Sequence, residues 1–101
     1  GKYREVEKLL QEGVPVDSRS GAGNETLLLE CAKNGQKRIA KLLLRQKADI
    51  NAVNTLGNTA LHCAQALNYS ELAQYLASKG ANGFIVNARG ETWSQATLPL
   101  L

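Results

Sequence analysis

One interval organises this sequence. Thr26, Thr59 and Thr92 stand 33 residues apart, and Asn54-Thr-Leu-Gly57 returns at the same interval as Asn87-Ala-Arg-Gly90. Gly35 corresponds to Asn68, Ile39 to Leu72, Leu43 to Leu76, and Ala48-Asp49 to Ala81-Asn82. A fixed period of this size marks a repeat architecture, in which each unit is one supersecondary element and cannot bury its apolar side alone.

The chemistry inside each period repeats as well. Thr59, a residue type that caps helix N-termini, opens the small and apolar stretch Ala60-Leu-His-Cys-Ala-Gln-Ala-Leu67. Asn68-Tyr69 breaks it, and Ser70 to Lys79 follows with apolar residues at 72, 73, 75, 76 and 77, the pattern of a helix with a broad buried face. Gly80 suits the left-handed residue that ends a helix. One period earlier, Thr26 opens a helix through Cys31 and Ala32, Asn34-Gly35 breaks it, and Gln36 to Gln46 carries Ile39, Ala40, Leu42, Leu43 and Leu44. Residues 47–58 and 80–91 hold turn formers, among them Asn51, Asn54, Gly57, Asn82, Gly83, Asn87 and Gly90. The unit is a helix, a tight turn, a second helix and an extended finger.

Stacking such units buries their apolar sides against one another, so the expected architecture is a solenoid of paired helices. Ala32, Ala40, Ala64 and Ala73 would let helices of adjacent units approach closely. The 101 residues suffice for one small domain, and 44% hydrophobic with 21% charged residues is an ordinary globular composition. Apolar runs such as Leu42-Leu43-Leu44 are far too short to cross a bilayer. The chain starts at Gly1 with no leader pattern, which suggests a segment of a longer protein. Its two cysteines, Cys31 and Cys63, suit a reducing compartment, so the expectation is an intracellular protein of cytoplasm or nucleus.

These residues resemble the ankyrin repeat. Gly57-Asn-Thr-Ala-Leu-His-Cys-Ala64 is similar to that family's Gly-x-Thr-Pro-Leu-His-x-Ala motif, with Ala60 in place of Pro. Lys79-Gly-Ala-Asn82 and Lys47-Ala-Asp-Ile-Asn-Ala52 resemble its finger. The resemblance implies an all-α solenoid of stacked helix-turn-helix units with short β-hairpin-like fingers. As one domain over 1–101 it divides into a partial unit at 1–17, repeats at 18–50 and 51–83, and a final partial unit at 84–101. Gly57, Thr59, Leu61, His62 and Ala64 are the motif's structural positions here. Only repeat 51–83 keeps the motif: repeat 18–50 has Leu27 at the Pro position and Leu29 at the His position. Its finger, Ser18 to Asn24, is one residue longer than the counterpart after Asn51. The last unit reads Thr92-Trp-Ser-Gln-Ala, and Trp93 is placed to cover the open end of the core, with Leu98 to Leu101 tucked beside it or frayed.

Candidate chemistry is sparse. His62 is the sole histidine, and with Cys63 and Cys31 it falls short of a zinc ligand set. Adjacent helical residues also point roughly 100° apart. The resemblance instead gives His62 a structural role, bonded to the Thr59 hydroxyl and to backbone of a neighbouring unit. Cys31 takes the place of Ala64 one repeat later and reads as a buried apolar residue, with Cys63, one helical step off, the more accessible thiol. No GxGxxG, Walker, HExxH or GxSxG motif is present, and no cofactor, metal or catalytic residue is expected.

Charge supplies one further feature. Lys33, Lys37, Arg38, Lys41, Arg45 and Lys47 form a run with no intervening acid, and Lys37, Lys41 and Arg45 share one helix stripe. The chain's net charge is only +3. A solvated outer face is the plainer reading of the run; docking of nucleic acid, a phosphorylated segment or acidic lipid is the alternative. No aromatic lies between residues 4 and 68, so base stacking beside the run is not expected.

In ankyrin repeats, partners usually lie across the fingers and the exposed side of the first helices. By position, the resemblance carries that surface onto Lys33, Asn34, Thr55, Leu56, Asn58, Ala66, Leu67, Arg89 and Glu91, with Arg19 and Glu25 in the irregular finger. Leu56 has no evident core to enter and Leu67 closes its helix, so both are candidate anchors. The function implied is a non-catalytic protein–protein interaction module, monomeric or part of a larger chain, with nucleic acid and membrane the less favoured partners. A bare structural spacer is the remaining alternative.

Overall fold

Residues 2–96 are described by the computed structural model of the chain. The tail from Leu98 to Leu101, read above as a cap or a frayed end, lies outside them. The helices run in chain order as α1 (Lys2–Gln11), α2 (Leu27–Lys33), α3 (Lys37–Arg45), α4 (Ala60–Ala66) and α5 (Ser70–Ser78), closed by a 3₁₀ turn at Trp93–Gln95. Between α1 and α2, strands β1 (Arg19–Ser20) and β2 (Glu25–Thr26) pair antiparallel, Arg19 opposite Thr26 and Ser20 opposite Glu25.

Local chemistry sets each helix start. Thr26 and Thr59 adopt extended backbone and accept the amide hydrogens of Leu29 and His62 on their side-chain oxygens, each at 3.2 Å. That satisfies a donor the helix cannot use internally. The tight turns between paired helices need a left-handed residue, which Gly35 (φ +66°) and Asn68 (φ +63°) supply. At Gly35 a side chain is excluded twice over, because a Cβ there would lie 2.8 Å from the Tyr69 ring. At the far ends of α3 and α5, Lys47 (φ +70°) and Gly80 (φ +94°) take equivalent left-handed positions.

The helices stack in two layers. Inner helices α2 and α4 pack together, α4 continues onto the 3₁₀ turn, and outer helix α1 packs against α3. Within repeats, α2 backs onto α3 and α4 onto α5. The result is elongated, 38 × 27 × 21 Å, as one stacking direction requires. Leu28, Leu29, Ile39, Leu43, Leu61, Leu72 and Leu76 form one continuous core. Ala32, Ala40, Ala64 and Ala73 are buried at the helix crossings, where a larger side chain would force the backbones apart. Trp93 packs on the end of that core and closes over Gly83.

The fingers differ among themselves. The extra residue in 18–24 gives the first finger room for a paired hairpin, turning at Gly21 and Asn24, both left-handed. The two later fingers use an asparagine instead. Asn54 Oδ1 accepts the amides of Leu56 and Asn58, and Asn87 Oδ1 accepts those of Arg89 and Glu91. A side-chain carbonyl thus replaces a strand ladder, the ordinary reason asparagine is favoured in turns.

Candidate functional site

The fingers form a row fastened from unit to unit by backbone. The Thr55 amide donates to Gly23 O at 2.9 Å, and one period later the Ala88 amide donates to Leu56 O at 2.9 Å. Arg19 adds a guanidinium bond to Val53 O at 2.6 Å. At the finger bases, the Asp49 amide donates to Asp17 Oδ1 at 3.0 Å and the Asn82 amide to Asn51 Oδ1 at 2.8 Å.

Beneath the row lies a buried polar layer. Glu25 is 4% exposed, paired with Lys33 at 2.8 Å, and accepts from Asn54 Nδ2. Asn87 Nδ2 donates to Asn58 Oδ1 at 2.8 Å and to Glu91 Oε1 at 3.1 Å. No buried side-chain polar atom among the described residues lacks a partner, so hydrogen bonds within the layer offset the cost of burying it.

His62 spans the layer. Its Nδ1 accepts the Thr59 amide at 3.2 Å and lies 2.8 Å from the Thr59 hydroxyl, while Nε2 lies 2.8 Å from Glu91 O. Because a backbone amide can only donate, Nδ1 is the acceptor and Nε2 carries the proton given to Glu91. Both ring nitrogens are therefore engaged. The thiols are buried too, and here the expected accessibility of Cys63 is overturned: Cys63 is 0% and Cys31 4% exposed. Its helix α4 is covered by α2, α5 and the 3₁₀ turn, so one helical step does not lead to solvent. Burial pushes both thiols up to about 12, against a usual 9.0. Thiols held protonated in this way are poor nucleophiles.

The surface residues expected from sequence are thus spread over several depths. Asn34, Thr55, Arg89 and Arg19 are exposed. Lys33, Leu56, Ala66, Leu67 and Glu91 are half-buried, with Ala66 and Leu67 packed against the core. Asn58, by contrast, is 2% exposed, and like Glu25 it faces the polar layer rather than a partner. Leu56 shares a small notch, lined mostly by polar residues, between neighbouring fingers with Asn58, Asn87, Ala88 and Arg89, and it is not among the side chains packed against the core. Sequence reasoning passed over Phe84, 90% exposed, and Val86, 54% exposed, on the third finger. The available signal was Phe84 standing one period after Asn51, an apolar residue at a polar finger position.

The basic run also has company that its own sequence neighbourhood does not show. Arg38 lies 4.2 Å over the ring of Tyr3, and Lys37, Lys41 and Lys79 lie 5.5, 5.5 and 5.6 Å from the Tyr75 ring centroid. Side chains of α1 and α5 reach α3 from its two flanks and bring these rings to the run.

Known proteins bear out the repeat. The chain matches the family model for ankyrin repeats, three copies, over residues 1–87. It is 38% identical over 77 residues to human neurogenic locus notch homolog protein 1, which covers 76% of this chain and 3% of that protein. It is 32% identical over 90 residues to an ankyrin repeat-containing protein of Treponema pallidum (strain Nichols), covering 89% of this chain and 30% of that one. Among solved structures, the ankyrin repeat domain of Bcl-3 superimposes with a TM-score of 0.84 and 26% identity, over 93% of this chain and 41% of that one. The chain therefore spans less than a third of these two relatives' lengths. Among the described residues no helix is long and apolar enough to cross a membrane. With its 33-residue units, its stacked helix pairs and these likenesses, the chain belongs to the ankyrin-repeat family, whose repeats generally mediate protein–protein interaction.

Proposed function

We propose that this chain is a non-catalytic, monomeric protein-binding module whose site is the finger row together with the exposed side of α2 and α4. The observation that carries the reading is the pair of unit-to-unit backbone bonds, Thr55 to Gly23 and Ala88 to Leu56. They fix neighbouring fingers relative to one another before any partner arrives, so binding loses little loop entropy. Thr55 and Arg89 then stand as exposed polar contacts, Leu56 is half-buried beside them, and Phe84 offers a large apolar side chain. The partner in this reading is a folded or extended protein segment rather than nucleic acid or membrane. The domain comprises units 1–17, 18–50, 51–83 and 84–101, as a monomer or as part of a larger chain.

The test is retention of protein partners on the immobilised chain at low and high salt. A partner that survives high salt, and is lost with Thr55→Arg/Arg89→Glu but kept by Lys41→Ala/Lys79→Ala, supports the finger row. Equal retention by the finger variant overturns it.

A further inference from the structure

The outer side of α3 carries an arrangement of charge that the finger row does not use. Lys37 and Lys41, with Lys79 just past α5, converge on the ring of Tyr75. On the opposite flank Arg38 lies over Tyr3, and Arg45 reaches the Tyr3 hydroxyl at 3.4 Å. An aromatic face attracts cations and holds their long stems, which leaves less rotamer freedom to lose on binding. Three units of the solenoid thus contribute to one basic face.

One carboxylate sits on that face. Glu71, with its side chain 83% exposed, lies 2.9 Å from Lys37 Nζ. Its hydrogen bond to Lys37, the charge of Lys37 and, more weakly, that of Lys41 hold its pKa below the usual value. Arg38, Lys41, Arg45 and Lys79 make no ion pair among the described residues. The face therefore already holds a carboxylate at one end and has cations to spare along the rest.

Spacing narrows the class of anion. Lys37, Lys41 and Arg45 recur every fourth residue, so they step along α3 by roughly 6 Å. Alternate residues of an extended chain, which point to one side, are roughly 6.6–6.8 Å apart. An extended segment with an acid at every second position thus sets one carboxylate near each cation. The rings of Tyr3 and Tyr75 have cations over them, so a base stacking on that side would have to displace a cation first.

We infer that the outer face of α3, completed by Lys79 and Tyr75 from the next unit, docks an extended acidic segment of a partner protein with carboxylates at alternate residues. Glu71 occupies one end of this track and competes with the incoming segment. The track is separate from the finger row, so either can fail without the other.

The experiment is fluorescence anisotropy of the full chain with a labelled peptide alternating Glu and Ser, beside a peptide of equal composition with its Glu residues in one block. Saturable binding at low salt is expected, tighter for the alternating peptide. Lys41→Ala/Lys79→Ala should weaken it roughly tenfold, the sum of two exposed ion pairs, and Glu71→Gln should strengthen it roughly threefold. Opposite responses to two surface changes cannot both come from lost folding. No saturable binding, equal binding of the two peptides, or indifference to either variant overturns the inference. Tighter binding of single-stranded RNA or of phosphatidylserine vesicles than of the alternating peptide overturns it as well, reassigning the face to those partners.

Discussion

His62 on α4 and Glu91 in the following finger meet through Nε2 and a backbone carbonyl oxygen at 2.8 Å. That bond joins a helix start to the next unit's finger, so the motif residue that caps locally also transmits position between repeats. The cap and the link share Thr59, whose hydroxyl lies 2.8 Å from His62 Nδ1 and accepts the His62 amide. Thr59→Ala should cost about 0.5–2 kcal/mol, the range of lost N-caps. A urea midpoint displaced with an unchanged slope is the expected result; an unmoved midpoint would mean the imidazole and backbone hold the turn without the hydroxyl.

Asn87 carries a heavier share of the finger. Its amide donates to Asn58 and Glu91, and its carbonyl accepts two backbone amides. Asn87→Leu takes the donor from buried Asn58 Oδ1 and removes the acceptor of two finger amides, a loss of about 2–3 kcal/mol. The substitution should also quench slow exchange at the Arg89 and Glu91 amides, which hydrogen exchange by NMR can read directly.

Lys47 sits in left-handed backbone at φ +70°, where the next repeat has Gly80. Left-handed backbone strains a residue with a Cβ, and glycine removes the strain while adding some freedom to the unfolded chain. Lys47→Gly is expected to raise stability by about 0.5–1 kcal/mol in chemical denaturation. A loss of stability would show that the Lys47 side chain contributes more than its backbone costs.

Alkaline pH should unsettle the fold through its thiols. Unfolded cysteine ionises near 9.0, whereas Cys31 and Cys63 resist until about 12 because burial disfavours the thiolate. Both thiols therefore favour the folded state fully below pH 9, and that contribution is lost as pH rises from 9 toward 12. The denaturation midpoint should fall across this window, less steeply in Cys31→Ala/Cys63→Ala. In the native protein at neutral pH, a disulfide thiol reagent should label neither residue until the chain unfolds.

The parts of this structure that were legible in the sequence are those governed by neighbours in the chain. Thr26 and Thr59 cap helices by accepting the amide three residues on, and Gly35 and Asn68 turn the backbone where they stand, so the period and the helix pairs could be read directly. Pairing across units could not. Asn58 is buried because Asn87, 29 residues later, donates to it, and Glu25 because Asn54 and Lys33 close over it. Arg38 and Tyr3 meet only once α1 is stacked on α3. Phe84 was passed over for the opposite reason, since the family pattern directs attention to positions that match rather than to one that departs.

The central claim is that the fingers are fixed before a partner binds, and native-state hydrogen exchange at the Thr55 and Ala88 amides tests it most directly. Each donates to the preceding finger, to Gly23 O and Leu56 O respectively, although Thr55 and Ala88 themselves lie at the surface. Protection approaching that of core amides such as Leu43 and Leu61 is expected, because opening either bond requires adjacent units to separate. Exchange at the rate of an open loop would contradict the claim and leave the finger row a mobile surface that orders only on contact.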